Sequence, residues 1–134
     1  MGVNDGVLPE RHRINTLTLA EFTYEFFRFA AELKERVDIS DWTHRLVARG
    51  FKSAGAELEG GLARPGAGHF DTRVANQDDL KYEWADLGSP ERNATRALKS
   101  FYAIFQRGSD DFAVFTTDGE VTAEAILAAA RELQ

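Results

Sequence analysis

Two groups of basic side chains are the residues of this chain best spaced for chemistry. Arg92, Arg96 and Lys99 follow one another at steps of four and three, which aligns them along one face of a helix. Arg45, Arg49 and Lys52 form a second group at the end of an expected helix, where cations also suit the negative end of the helix dipole. Set beside Trp42 or Trp84, these groups would make an anion or nucleotide pocket, guanidinium groups pairing with phosphate and an indole stacking on a base. The expected ligand-binding residues are therefore Trp42, Arg45, Arg49, Trp84, Arg92, Arg96 and Lys99. The competing reading of the same side chains is two solvated helix faces, the ordinary fate of charge stripes.

Other constellations fall short of a reaction. Asp41 and His44 stand three apart, as a carboxylate–histidine metal pair would, but no further ligands are spaced to complete the shell, and Asp41 also suits a helix start. His69-Phe70-Asp71 has the composition of a base with an orienting carboxylate, yet no Ser or Thr nucleophile is linked to it. Gly55, Gly60, Gly61, Gly66 and Gly68 match neither phosphate-loop spacing, and no strand is expected ahead of them. Asp78-Asp79 and Asp110-Asp111 lie at expected helix starts and turns, where carboxylates have structural roles. No catalytic residue, metal or cofactor is expected.

The elements that must position these side chains belong to a chain of 134 residues, the size of one domain with its own core. Apolar residues make up 43%, with ten Phe, three Tyr and two Trp, which is a globular composition. The formal net charge of −6 disfavours nucleic acid. The absence of Cys, of an apolar leader and of any long apolar run suits a cytoplasmic protein with no membrane partner.

Thr18 and Glu21 have capping-box spacing, which predicts a helix to about Val37. Its stripe of Phe22, Phe26, Phe29, Leu33 and Val37 is expected to face the core. Tyr24 and Phe27 lie off that stripe, so the helix is expected either to be deeply buried or to carry a second contact face, which a two-fold homodimer would bury. A second helix is predicted over 41–49, stopped by Gly50 with Phe51 folding back on Leu46. Residues 52–77 read as a long loop rich in glycine up to Gly68. A short helix is predicted from Asp78 or Asp79 to Leu87, with Leu80, Trp84 and Leu87 in register.

Ser89-Pro90-Glu91 then restarts a helix that runs to about Arg107 and buries Ala94, Leu98, Phe101 and Phe105. Phe112–Thr117 should be a strand pairing with 13–17, Asp118-Gly119 a turn, and Thr122 the cap of a last helix with Ile126, Leu127, Ala130 and Leu133 inward. The expected fold is mainly α: one domain over 1–134, a compact bundle of about four to five helices with a small two-stranded β element and the long glycine-rich loop. Residues 1–12 are expected to form a flexible arm, and 109–134 a strand–turn–helix extension.

The order of features between Leu19 and Gly108 resembles the ryanodine receptor repeat domain, a module also found in bacterial and phage proteins. Trp42-Thr43-His44-Arg45-Leu46-Val47-Ala48-Arg49-Gly50-Phe51 is similar to that family's Trp-containing helix and following Gly-aromatic pair. Leu87-Gly88-Ser89-Pro90-Glu91-Arg92-Asn93, then Leu98-Lys99 and Gly108, follow in a similar order. Lys52-Ser53-Ala54-Gly55 stands where the family has Tyr-Gly, the family's His-Pro is missing, the intervening loop is expanded, and Arg92 to Leu98 is a shorter interval. The resemblance implies two paired helical units and a non-catalytic binding or regulatory module, in prokaryotic settings one that senses a nucleotide-like ligand. The alternative expectation is an acidic protein-interaction partner, such as an inhibitor, immunity, antitoxin or phage accessory protein, docking on another protein.

Overall fold

The computed structural model describes residues 13–37, 44–49, 52, 57–58, 73–76, 80–84 and 89–132. Strand β1 (Arg13–Ile14) leads into the longest helix, α1 (Thr16–Arg36). Its N-cap is Asn15 rather than Thr18. The Asn15 side-chain oxygen Oδ1 accepts from the Thr18 amide at 3.0 Å, which places Thr18 inside the first turn.

The inward face of α1 is Thr16, Ala20, Thr23, Tyr24, Phe27 and Ala30. The stripe expected to face the core points outward instead: Phe22 is 64% exposed, Phe29 62% and Val37 43%. Periodicity identifies residues that share a face, but a helix with two apolar faces does not reveal which is buried. Here the choice follows from close packing on α2 (Pro90–Ile104). Ala20, Ala94 and Ala97 are fully buried, and side chains this small let two helix backbones approach.

Two expected helices are strands. β2 (His44–Ala48) and β5 (Leu80–Trp84) form an antiparallel ribbon with His44 opposite Trp84 and Ala48 opposite Leu80. In β5 the alternation of Leu80 and Tyr82 with Lys81 and Glu83 is a two-residue period, and it is realised: Leu80 is buried and Tyr82 half-buried, while Lys81 and Glu83 are exposed. Over five residues such a run also fits helical spacing, and pairing with a distant segment decides between the two.

Two further short strands, β3 (Glu57–Leu58) and β4 (Arg73–Val74), lie inside the span expected to be loop. β1 runs parallel to β3, and β3 antiparallel to β4. The segment beginning at Arg13 therefore pairs with 57–58 and not with 112–117. Leu58 is fully buried at the centre of this sheet, and the Asn76 amide after β4 donates to the Ile104 carbonyl at 2.8 Å, tying the sheet to the end of α2. The glycine-rich stretch 59–72 and the arm 1–12 lie outside the described residues.

α2 starts as its sequence requires. Ser89 Oγ accepts from the Arg92 amide at 3.1 Å and Pro90 occupies the first turn. Ala94, Leu98, Phe101 and Phe105 are all buried. The helix stops earlier than Gly108 suggests. Gln106 takes the left-handed conformation (φ 60°), its amide donates to Ala103 at 3.0 Å, and the Arg107 amide donates to Tyr102 at 2.9 Å. This is a Schellman closure with glutamine in the position usually given to glycine.

A 3-10 helix follows over Ser109–Phe115, so most of the strand expected at 112–117 is helical. The Asp111 carboxylate accepts from the Gly108 amide at 3.3 Å, and Phe112, Val114 and Phe115 are buried. Local capping by an acidic side chain and burial of three apolar residues in a short span outweigh β propensity here. Only β6 (Thr116–Thr117) remains extended, pairing with β7 (Glu120–Val121) across Asp118 (φ 53°) and Gly119 (φ 84°). Two positive φ angles in a two-residue loop are what a tight hairpin needs. Thr122 Oγ1 accepts from the Ala125 amide at 3.1 Å and caps α3 (Ala123–Glu132). Ile126 and Ala129 face the core, whereas Leu127, expected inward, is 57% exposed. Leu133 lies outside the described residues.

The chain is thus mainly helical, with four helical segments among the described residues and small sheets of two or three strands around them. Thr95 joins two of these parts: its hydroxyl donates to the Glu91 carbonyl at 2.6 Å and accepts from the Val121 amide at 2.8 Å. Thr95→Val keeps the shape but strands the Val121 amide, and is expected to cost about 1–3 kcal/mol. A lowered urea midpoint with an unchanged slope would be the signature; an unmoved midpoint would show that the Val121 amide finds another partner.

Candidate functional site

Arg45 and Arg96, one from each basic group, are held on different faces of the β2–β5 ribbon. Arg45 and Glu83 are opposite one another in the ribbon, with Arg45 Nε 3.0 Å from Glu83 Oε1 and both side chains more than half exposed. Leu80 and Tyr82 occupy the other face of β5, where α2 packs. There the Tyr82 hydroxyl donates to Asn93 Oδ1 at 3.2 Å, and Arg96 hydrogen-bonds the same phenol. Burial raises the Tyr82 phenol above its ordinary value, and the nearby Arg96 cation opposes that shift. The ribbon therefore stands between Arg45 and Arg96. Arg92 and Lys99 are exposed on α2, and Arg49 is exposed just after β2. Trp84 ends β5 opposite His44, and Trp42 lies outside the described residues, as do Asp41, His69, Phe70 and Asp71. The segment similar to the Trp-containing helix of the ryanodine receptor repeat domain is a strand over His44–Ala48.

The feature that the structure does assemble is the outward face of α1. Leu19, Phe22, Phe26, Phe29 and Leu33 follow at steps of three, four, three and four, with Phe22, Phe29 and Leu33 exposed and Leu19 and Phe26 half-buried at their base. Phe26 anchors this row to the core. Its ring meets Phe27 edge-on at 5.2 Å, and Phe27 meets Tyr82 edge-on at 5.8 Å. At the N-terminal end the row opens on a shallow hollow lined by Ile14, Asn15, Thr18, Leu19 and Phe22.

Charged side chains line one edge of this row. Arg28 Nε lies 3.6 Å from Glu25 and 4.0 Å from Glu32, all three more than half exposed, so these pairs hold the edge only weakly. Beyond them a groove of about 290 Å³ separates α1 from α3, with Tyr24 and Arg28 on one wall and Ala123, Ile126, Leu127 and Ala130 on the other. The Tyr24 phenol is raised, first by burial and then by Glu91. No helix among the described residues is long and apolar enough to cross a membrane.

The residues of this face were visible in the sequence as a stripe, but read as core. The signal for the opposite assignment lay in Ala20, Thr23 and Ala30, small side chains on the side of Tyr24 and Phe27, which suit a face pressed against another helix. In comparisons with known proteins, no protein-family model, no curated protein and no solved structure matches this chain.

Proposed function

We propose that this chain is a non-catalytic protein-docking module that engages its partner through the outward face of α1. The observation that carries this reading is the exposure of Phe22 and Phe29, at 64% and 62%, on a helix whose other face already fills the core. Burying a Phe side chain stabilises by about 1.5–3 kcal/mol, and a contiguous row of such residues on a small chain marks an interaction surface. The basic groups give less support to an anion pocket, because Arg45 is engaged by Glu83 and Arg96 by Tyr82 on opposite sides of the ribbon.

The test is the double variant Phe22→Asp/Phe29→Asp used as bait beside the unaltered chain. Neither side chain is in the core, so the thermal midpoint should hold, while capture of the partner should fall by roughly tenfold or more. Equal capture by both baits would remove this reading.

A further inference from the structure

We infer, resting on that docking reading, that the element seated on α1 is a basic amphipathic helix of a partner protein, its apolar seam laid along Leu19, Phe22, Phe26, Phe29 and Leu33. Alternating steps of three and four give this row a period of 3.5, the spacing by which two helices interdigitate at a shallow crossing angle. The row spans about 21 Å at 1.5 Å per residue, enough for several turns of a second helix.

The chemistry of that helix follows from what flanks the row. On one side lie Thr23 and Ala30, both buried in the domain, so a partner meets only the other side. There Glu21, Glu25 and Glu32 stand with Arg28, all exposed: three carboxylates and one guanidinium group, a surplus of two negative charges along this edge in a chain of net charge −6, while Arg36 continues the row beyond Leu33. Lys and Arg on the partner would meet this edge, and the groove beyond it offers Leu127 as apolar surface for their aliphatic stems. A second copy of the chain fits less well. Antiparallel pairing of two identical rows would bring Glu25 and Glu32 toward the same residues of the other copy, where like charges repel.

Two synthetic helical peptides serve as probes. Both carry Leu at the seam positions; one carries Lys and the other Glu at the flanking positions, and binding is read by fluorescence anisotropy at two salt concentrations. The Lys peptide should bind roughly tenfold tighter than the Glu peptide, more weakly as salt rises, and Glu25→Lys/Glu32→Lys should invert the order. Equal binding of the two peptides, or an unchanged preference in the charge-reversed variant, overturns the inference. So does failure of both peptides to bind; if the chain then sediments as a dimer that Phe22→Asp/Phe29→Asp dissociates, the docking face stands and only the partner's chemistry falls. If the Lys peptide binds Phe22→Asp/Phe29→Asp as well as the unaltered chain, the docking face itself is refuted.

Discussion

Phe27→Ala is expected to destabilise the fold by about 3–5 kcal/mol, whereas Phe29→Ala, two positions along the same helix, should leave stability within about 0.5 kcal/mol. The two residues are the same chemical type in the same element and have near-equal helix propensity costs, so the contrast isolates burial. Phe27 is 1% exposed and touches Phe26 and Tyr82 edge-on; its removal leaves a cavity between α1 and the β2–β5 ribbon. Phe29 is 62% exposed, and its ring is already in water in the folded state. Urea unfolding of the two variants measures the difference. Comparable losses, or a larger loss for Phe29→Ala, would mean that α1 is turned about its axis and that the outward row is core, which would also remove the docking face.

Alkaline pH is expected to expose a second dependence, centred on Tyr102. Its side chain is fully buried, packed against Phe112 with ring centroids 5.0 Å apart. Burial pushes the phenol well above its ordinary value, and the carboxylate of Asp111 pushes in the same direction. The unfolded chain releases this proton near pH 10, while the folded chain retains it to higher pH. Above about pH 10 the unfolded state therefore binds fewer protons than the folded state, and stability falls as pH rises, by about 1.4 kcal/mol per pH unit for this group. Below that pH the phenol is neutral in both states and the contribution is complete.

Tyr24 and Tyr82 are also raised and add slopes of the same sign. Tyr102→Phe removes only the Tyr102 share, so the measurement is the difference in slope between the two chains in urea melts from pH 9 upward. Parallel slopes would show that the Tyr102 phenol ionises in the folded state as it does in water, and hence that the junction of α2 and the 3-10 helix is open to solvent.

Three signals that act over three or four residues survived folding unchanged. Ser89-Pro90-Glu91 starts α2, Thr122 caps α3, and Asp118-Gly119 makes the hairpin turn, because each depends on its own backbone amides and φ angles. The inward face of α2 was legible for a related reason: Ala94, Leu98, Phe101 and Phe105 form its single apolar stripe, the opposite side being occupied by Arg92, Arg96 and Lys99. The α1 N-cap moved from Thr18 to Asn15 because both residue types cap well, and the one placed before the first turn prevails.

What depended on distant partners was decided only when the chain closed on itself. Whether 44–48 and 80–84 are helix or strand turns on their pairing with each other across more than thirty residues, which no local pattern records. The same holds for β1, whose partner is β3 and not the segment after the 3-10 helix. Most consequential is α1. Local spacing marked two apolar faces on it, and contact with α2, where Ala20 of α1 and Ala94 and Ala97 of α2 are fully buried, enclosed the one carrying Tyr24 and Phe27, leaving Phe22 and Phe29 in water. Periodicity orders residues around an axis, while the rotation of that axis is chosen by the shape of what packs against it.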